Sequence, residues 1–239
     1  MYESNGYNAT RFLLILKVIK NTANNACKQT PFFYFCTMKR VKRFFITWAR
    51  KLRHSGGHGI HSPFAFSFVM NVVYNPYPYY FFTDPKKEGL SKKERKTGEL
   101  LFRLVERYRL STIVVVGNQS TLLTHYVTAS SNKIKLFYTE SVKASIKEIE
   151  KELSLCPTLF LFDDNATKNE WLGFYERIKA SIPENSVIVM PNIQEDLEKK
   201  AFWGEFYQNQ PTGVLFDLYD IGIIFLKKEL HKKRYIVSF

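Results

Sequence analysis

Short apolar runs alternate with amphipathic segments of helical length through the second half of this chain. The runs are rich in β-branched and aromatic residues, which is typical of strands that are buried on both faces. They predict strands at Ser111–Gly117, Lys133–Glu140, Pro157–Phe162, Ser186–Met190, Gly213–Leu218 and Gly222–Leu226, with a last edge segment at Arg234–Phe239.

Helical periodicity fills the intervals between these runs. It predicts helices at Thr121–Ser130, Val142–Leu153, Glu170–Ala180 and Gln194–Gln208. Because parallel strands need a crossover that is usually a helix, the alternation predicts a doubly wound, mostly parallel α/β sheet. The fifth and sixth runs are close enough in sequence to form an antiparallel hairpin at its end.

Upstream of the first strand the pattern is helical. Apolar residues recur at helical spacing over Thr97–Arg109. Another helix is expected to begin with Ser62 as its N-cap and Pro63 at its first position, where the missing N–H costs nothing. Phe64, Phe68 and Val72 continue that helix at the expected spacing.

Three regions follow from these patterns: an extension over residues 1–37, a helical region over 38–110 and an α/β core over 111–239. The extension consists of polar clusters around a short apolar patch, which indicates disorder. Met38 stands directly before a basic segment, so a second interpretation is that translation starts there. Mass spectrometry of the native N-terminus distinguishes the two.

The composition fits a folded domain. A length of 239 residues allows one α/β domain with additions, and a hydrophobic content of 45% argues against general disorder. The three cysteines are odd in number and lack metal-ligand spacing, which favours a reducing compartment. No apolar run has the length of a membrane span, and none resembles a signal peptide. A cytoplasmic location is therefore the expectation.

The net charge of +13 is concentrated unevenly. Residues 39–53 form a basic segment that contains no acid and is interleaved with aromatic residues: Lys39, Arg40, Lys42, Arg43, Phe44, Phe45, Trp48, Arg50, Lys51 and Arg53. Such a segment can face nucleic acid or an anionic membrane surface. The alternative is an amphipathic helix whose aromatic stripe packs on the domain while its charges lie in water.

Three histidines, His54, His58 and His61, lie in a glycine-rich break before the helix that begins at Ser62. A zinc site is disfavoured because the glycines interrupt any regular ligand face and no cysteine or acid stands nearby. We expect no metal. A turn followed by a helix cap explains the segment, and His58 and His61 are candidates for lining a ligand pocket from this loop.

The ends of the first two predicted strands carry the main chemical signal. The first ends on Gly117, whose lack of a side chain lets a ligand approach the backbone, and the second ends on Glu140, which can bind both hydroxyls of a ribose. The carboxyl ends of parallel strands are where such sheets bind ligands. The alternatives are that Gly117 only forms a tight turn and that Glu140 caps the following helix.

This plan resembles the class I S-adenosylmethionine-dependent methyltransferases, whose Rossmann-like sheet ends in a β-hairpin. More narrowly, it is similar to a bacterial O-methyltransferase-like branch. The segments that carry the narrower resemblance are Gly57–Phe64, which reads GHGIHSPF, and Asp217–Phe225, which reads DLYDIGIIF. The resemblance covers residues 38–239.

The resemblance implies S-adenosylmethionine as the cofactor and assigns residues to it. Gly117, with Asn118 beside it, matches the loop that approaches the methionine part. Glu140 matches the acid that holds the ribose. Asp163, in Leu161–Asn165, matches the strand end that borders the site of methyl transfer, although a turn residue is the alternative there.

Three departures from the family pattern predict that activity is weakened or lost. Only one glycine occupies the loop after the first strand. Pro191-Asn192 stands where metal-dependent members carry two acids, and proline offers no ligand atom. The interval between Glu140 and Pro157 holds one helix and is too short for the further strand that the family carries there. Two further hypotheses stay open: a non-catalytic binding or partner module on this fold, and an RNA-binding relative that uses the basic segment.

Overall fold

The computed structural model describes residues 41, 43–52, 59–77, 79, 91–117, 121–139, 156–162, 167–195, 197–209 and 213–239. The chain divides into two compact units, Met1–Ala49 and Arg50–Phe239. In the first unit only residues 41 and 43–49 are described, and they are helical. The predicted extension, residues 1–37, lies outside the described residues, as does the predicted helix Val142–Leu153.

The described helices are α1 (residues 43–52), α2 (Pro63–Phe68), α3 (Lys92–Tyr108), α4 (Thr121–Thr128), α5 (Lys168–Ile178) and α6 (Leu197–Asn209). A π-helical turn at Val69–Val73 continues α2. The strands are β1 (Thr112–Val116), β2 (Lys135–Thr139), β3 (Thr158–Phe162), β4 (Ser186–Pro191), β5 (Val214–Asp217), β6 (Ile221–Leu226) and β7 (Lys233–Ile236).

All seven described strands form one sheet in the order β2-β1-β3-β4-β6-β5-β7. Strands β1, β2, β3 and β4 pair in parallel, whereas β6 pairs antiparallel with both β4 and β5. Strand β7 adds to β5 in parallel at the far edge. The predicted fold class is therefore confirmed: a mostly parallel, Rossmann-like α/β sheet with an antiparallel hairpin.

Helices cover both faces of this sheet because β1, β3 and β4, its central parallel strands, bury the side chains on both of their sides. On one face, Ile113 and Val115 pack in a core with α2, α3 and α4. On the other face, Val114 and Val116 pack in a second core with α5 and α6. This explains why the strand sequences are continuous apolar runs instead of alternating patterns.

Two helices begin earlier than the sequence pattern predicts. Helix α3 begins at Lys92 instead of Thr97, because Ser91 and Glu94 form a reciprocal capping box. Helix α5 begins at Lys168 because Thr167 and Glu170 form another. Both starts lie in charged sequence without apolar periodicity. The predicted N-cap at Ser62 is confirmed, since its side chain accepts from the Ala65 amide.

Candidate ligand-binding edge

The parallel strands bring their carboxyl ends to one edge of the sheet, the carboxyl edge. Val116 and Thr139, the last residues of β1 and β2, are paired directly, and Phe162 ends β3 on the other side of β1. Strand β4 ends nearby at Pro191. Because β5 has the same direction as β4, its last residue, Asp217, also lies at this edge.

A topological switch point lies at β1. The chain leaves β1 for β2 on one side and later returns to place β3 on the other side. The helix after β1, α4, contributes Val127 to one core, whereas the helix after β3, α5, contributes Trp171 to the opposite core. The two helices therefore diverge from this point, and such a crevice is where open α/β sheets bind ligands.

Gly117 lies directly after β1 at the switch point. It is half-buried and has a φ of 115°, which an L-residue with a side chain adopts only with strain. The backbone can therefore turn sharply here and expose its amide groups to a ligand. This conformation is equally compatible with a tight turn that has no ligand.

Four of the predicted site residues, His58, Asn118, Glu140 and Asp163, lie outside the described residues. Each of the last three follows a described segment at the carboxyl edge: Asn118 follows Gly117, Glu140 follows Thr139, and Asp163 follows Phe162. Their assignment to a cofactor stays a prediction.

His61 lies near the opposite edge from Gly117. It is exposed just before α2, whose first turn packs through Phe64. The Phe64 ring lies 5.1 Å from that of Phe225, and Phe225 pairs with Val187 at the start of β4. The start of β4 marks the amino edge, so the structure does not bring His61 to Gly117.

A polar cluster that sequence reasoning missed lies where β4 ends. The Lys93 ammonium, from the first turn of α3, donates to Oδ1 of Asn192. The same ammonium lies 4.0 Å from a carboxylate oxygen of Asp220 in the β5–β6 turn. The Ile193 amide donates to the Asp220 carbonyl at 3.1 Å, which ties the turn to the end of β4. Lys93 therefore brings a positive charge to the carboxyl edge.

Lys96 lies one turn further along α3 and adds to that charge. Its ammonium lies 4.1 Å from the centroid of the Phe239 ring, in a cation–π contact. Burial lowers the pKa of Lys96, and the charges of Lys92 and Arg103 lower it further.

Lys93 bonds to Asn192 directly after β4, and β4 is two strands away from β1 in the sheet. Strands two positions apart are separated by about 10 Å, so Lys93 lies on the β4 side of the edge and not at the switch point.

Asp217 is wholly buried between two arginines. Its Oδ1 accepts from Arg50 Nη1 at 2.7 Å and from the Tyr219 amide at 3.0 Å. Its Oδ2 accepts from Arg50 Nη2 at 3.4 Å and from Arg234. Burial by itself raises the pKa of this carboxyl, but the hydrogen bonds and charges of its partners outweigh burial and hold the pKa below its ordinary value.

This arrangement gives the second distinctive segment a structural role. Tyr219 adopts a φ of 77° in the turn after Asp217, and its ring lies 5.1 Å below the Arg50 guanidinium. Further along, Gly222 lies under the Trp203 indole, where an added Cβ would meet ring carbon at 2.3 Å. The segment that carries the resemblance is therefore a packing unit in which both carboxylate oxygens of Asp217 are bonded.

Neither a metal centre nor a membrane span emerges from the described residues. Within the described ranges, His, Cys, Asp and Glu side chains form no group of three or more that could hold a metal ion. The helices described between residues 43 and 209 all fall short of the length and apolarity that crossing a bilayer requires.

The chain matches no protein-family model, and no curated protein matches it significantly.

Proposed function

We propose that this protein is an S-adenosylmethionine-dependent methyltransferase-like protein of the O-methyltransferase-like kind, in which catalysis is weakened or lost. The observation that carries the proposal is the direct parallel pairing of Val116 with Thr139. The residues that follow them in the chain are Gly117 and Glu140, so the glycine and the acid each come directly after one of two adjacent strands in the sequence. If Val116 and Thr139 lay at opposite edges of the sheet, or in separate sheets, this interpretation would be wrong.

The described part of the carboxyl edge fits such a cofactor in two respects. Gly117 offers backbone without a side chain in a positive-φ turn, and the helices diverge at the strand beside it. S-adenosylmethionine supplies a sulfonium methyl group when bound. The protein's task is to hold an acceptor oxygen in line with that group, with Glu140 binding the ribose hydroxyls and Asn118 and Asp163 flanking the site.

The cluster at the end of β4 supports a protein that works without a metal. Metal-dependent relatives carry acids at the positions of Pro191 and Asn192. Here Asn192 Oδ1 already accepts from Lys93, whose positive charge would repel a divalent cation. A lysine at this point can stabilise the negative charge that forms on an acceptor oxygen when that oxygen loses its proton. The lysine polarises the oxygen less than a metal ion would. This agrees with weakened activity.

Calorimetric titration with S-adenosylhomocysteine, the demethylated product, tests the proposal. We expect saturable binding that weakens roughly 10- to 100-fold in Glu140→Ala, because a charge-assisted hydrogen bond contributes about 1.5–3 kcal/mol. Glu184→Ala is the matched control, since Glu184 is an exposed glutamate that precedes β4 at the amino edge. We expect it to leave the affinity unchanged.

Methyl transfer from labelled S-adenosylmethionine to a metabolite extract separates the active from the inactive form. Binding with transfer identifies an enzyme. Binding without transfer identifies the non-catalytic module, which the single-glycine loop and the occupied Asn192 favour. The cofactor site itself would be contradicted if millimolar S-adenosylhomocysteine gave no heat signal. It would also be contradicted if Glu140→Ala and Glu184→Ala lost affinity equally.

A further inference from the structure

Helix α1 presents a line of apolar side chains to solvent. Phe44, Trp48 and Leu52 recur every four residues, which aligns them on one face of a helix. Their exposed fractions are 54%, 43% and 65%. Large apolar side chains in a row on a surface mark an interaction site.

The charge around this stripe has one sign. Residues 39–53 contain seven lysines and arginines and no acid. Arg43 and Lys51, which stand next to Phe44 and Leu52 in the sequence, are exposed, whereas Arg50 is turned inward and bonds to the buried Asp217. The helix thus combines an apolar line with basic flanks, which is the pattern of helices that lie in the headgroup region of an anionic membrane.

We propose that α1 docks the protein onto an anionic lipid surface, with Phe44, Trp48 and Leu52 inserted between the lipid chains and the basic flanks on the headgroups. The occupant is a bilayer and not a nucleic acid because the stripe ends in an aliphatic side chain. Leu52 gains from burial in hydrocarbon but offers no ring on which a base could stack. The inference is independent of the methyltransferase proposal.

Trp48 is a built-in reporter for this contact. The other two tryptophans, Trp171 and Trp203, are only 4% and 3% exposed, so a change in emission on binding comes mainly from Trp48. We expect the full-length protein to sediment with vesicles of phosphatidylcholine and phosphatidylglycerol, with a blue-shifted emission. Vesicles of phosphatidylcholine alone should bind at least tenfold more weakly, because each basic residue near an anionic surface contributes about fivefold. In Trp48→Phe the blue shift should disappear while sedimentation persists.

Matched variants distinguish binding through the stripe from non-specific hydrophobic binding. The triple variant Phe44→Ser, Trp48→Ser, Leu52→Ser should lose at least tenfold in vesicle affinity. Phe66→Ser with Met70→Ser removes two other exposed apolar residues, 46% and 38% exposed, and should change nothing.

Charge is controlled in the same way. Arg43→Gln with Lys51→Gln should weaken binding to anionic vesicles, whereas Lys133→Gln with Lys200→Gln, exposed lysines elsewhere, should weaken it much less. The wild-type emission shift needs no variant, so a variant that fails to fold leaves the test intact. The proposal is overturned if anionic vesicles neither sediment the protein nor shift its emission. It is also overturned if binding persists in the triple serine variant. Strong binding of a single-stranded oligonucleotide with no lipid response would assign the helix to nucleic acid.

Discussion

At the scale of single residues, Asp217 is a fully buried carboxylate that two arginines hold. A carboxylate with no exposed surface carries a large desolvation cost, which only direct charge partners offset. Arg50 and Arg234 provide that compensation from sequence positions 167 and 17 residues away. Loss of the acid leaves two guanidinium groups side by side without their shared counter-charge.

Asp217→Asn should lower the free energy of unfolding at neutral pH by about 3 kcal/mol, because it breaks a buried ion pair from one side. Urea unfolding measures this. The native pKa of Asp217 is depressed, so its contribution is fully present above the unfolded pKa and is lost as the pH falls through the native pKa.

The difference between wild type and Asp217→Asn should therefore be constant from neutral pH down to about pH 5 and shrink only below about pH 4. Glu176→Gln, which removes an exposed partner of Lys179, is the control and should change stability by less than about 0.5 kcal/mol. An equal effect of the two substitutions would mean that Asp217 is not held as described.

At the scale of elements, two glycines set how closely neighbouring elements approach. Gly98 in α3 lies under the ring of Tyr126 in α4, and an added Cβ would meet that ring at 2.3 Å. Gly222 in β6 lies under Trp203 in α6 at the same distance. In each case a buried aromatic ring rests on backbone, so the contact depends on the missing side chain.

Gly98→Ala and Gly222→Ala should each destabilise the fold by about 1–3 kcal/mol, because a buried ring must move to admit the methyl group. Gly173→Ala and Gly204→Ala are the matched controls. Both glycines lie within helices, and nothing lies within 4 Å of an added Cβ. Those variants should gain up to about 1 kcal/mol from helix propensity. Thermal and urea unfolding of the four variants give the comparison, and four changes of one sign would refute the packing argument.

At the scale of the whole molecule, like charges act against compactness. The chain has 35 lysines and arginines against 22 aspartates and glutamates. Surface ion pairs such as Lys168 with Glu205 use one charge of each sign, so they leave this excess unchanged and contribute little individually. A net charge of +13 therefore favours expansion and attracts polyanions of any kind.

Sodium chloride should raise the thermal midpoint, because screening weakens the net repulsion more than it weakens scattered surface pairs. If screening recovers about 1 kcal/mol between low and physiological salt, the midpoint rises by roughly 2–4 °C. Differential scanning calorimetry over a salt series measures this. A falling midpoint would show that attractive pairs dominate instead.

The fold class followed from the sequence because apolar runs, turns and helical periodicity are local signals. The start of α3 was missed by five residues, since Ser91 and Glu94 act through a hydrogen-bond pair inside a charged run. The role of Asp217 could not be read locally, because Arg50 is distant in the chain. The sequence also does not show at which edge α2 begins, so the distance of His61 from Gly117 could not be predicted.

The outermost described strands, β2 and β7, have a consequence for behaviour at high concentration. An unpaired strand edge is a template onto which another copy of the chain can add, which is how aggregates and fibrils start. Exposed lysines stand on both strands: Lys135 on β2 and Lys233 on β7. Two such positively charged strand edges repel each other as they approach. Lysine acetylation or adsorbed polyphosphate would remove this protection, and turbidity would then increase while the fold itself stayed intact.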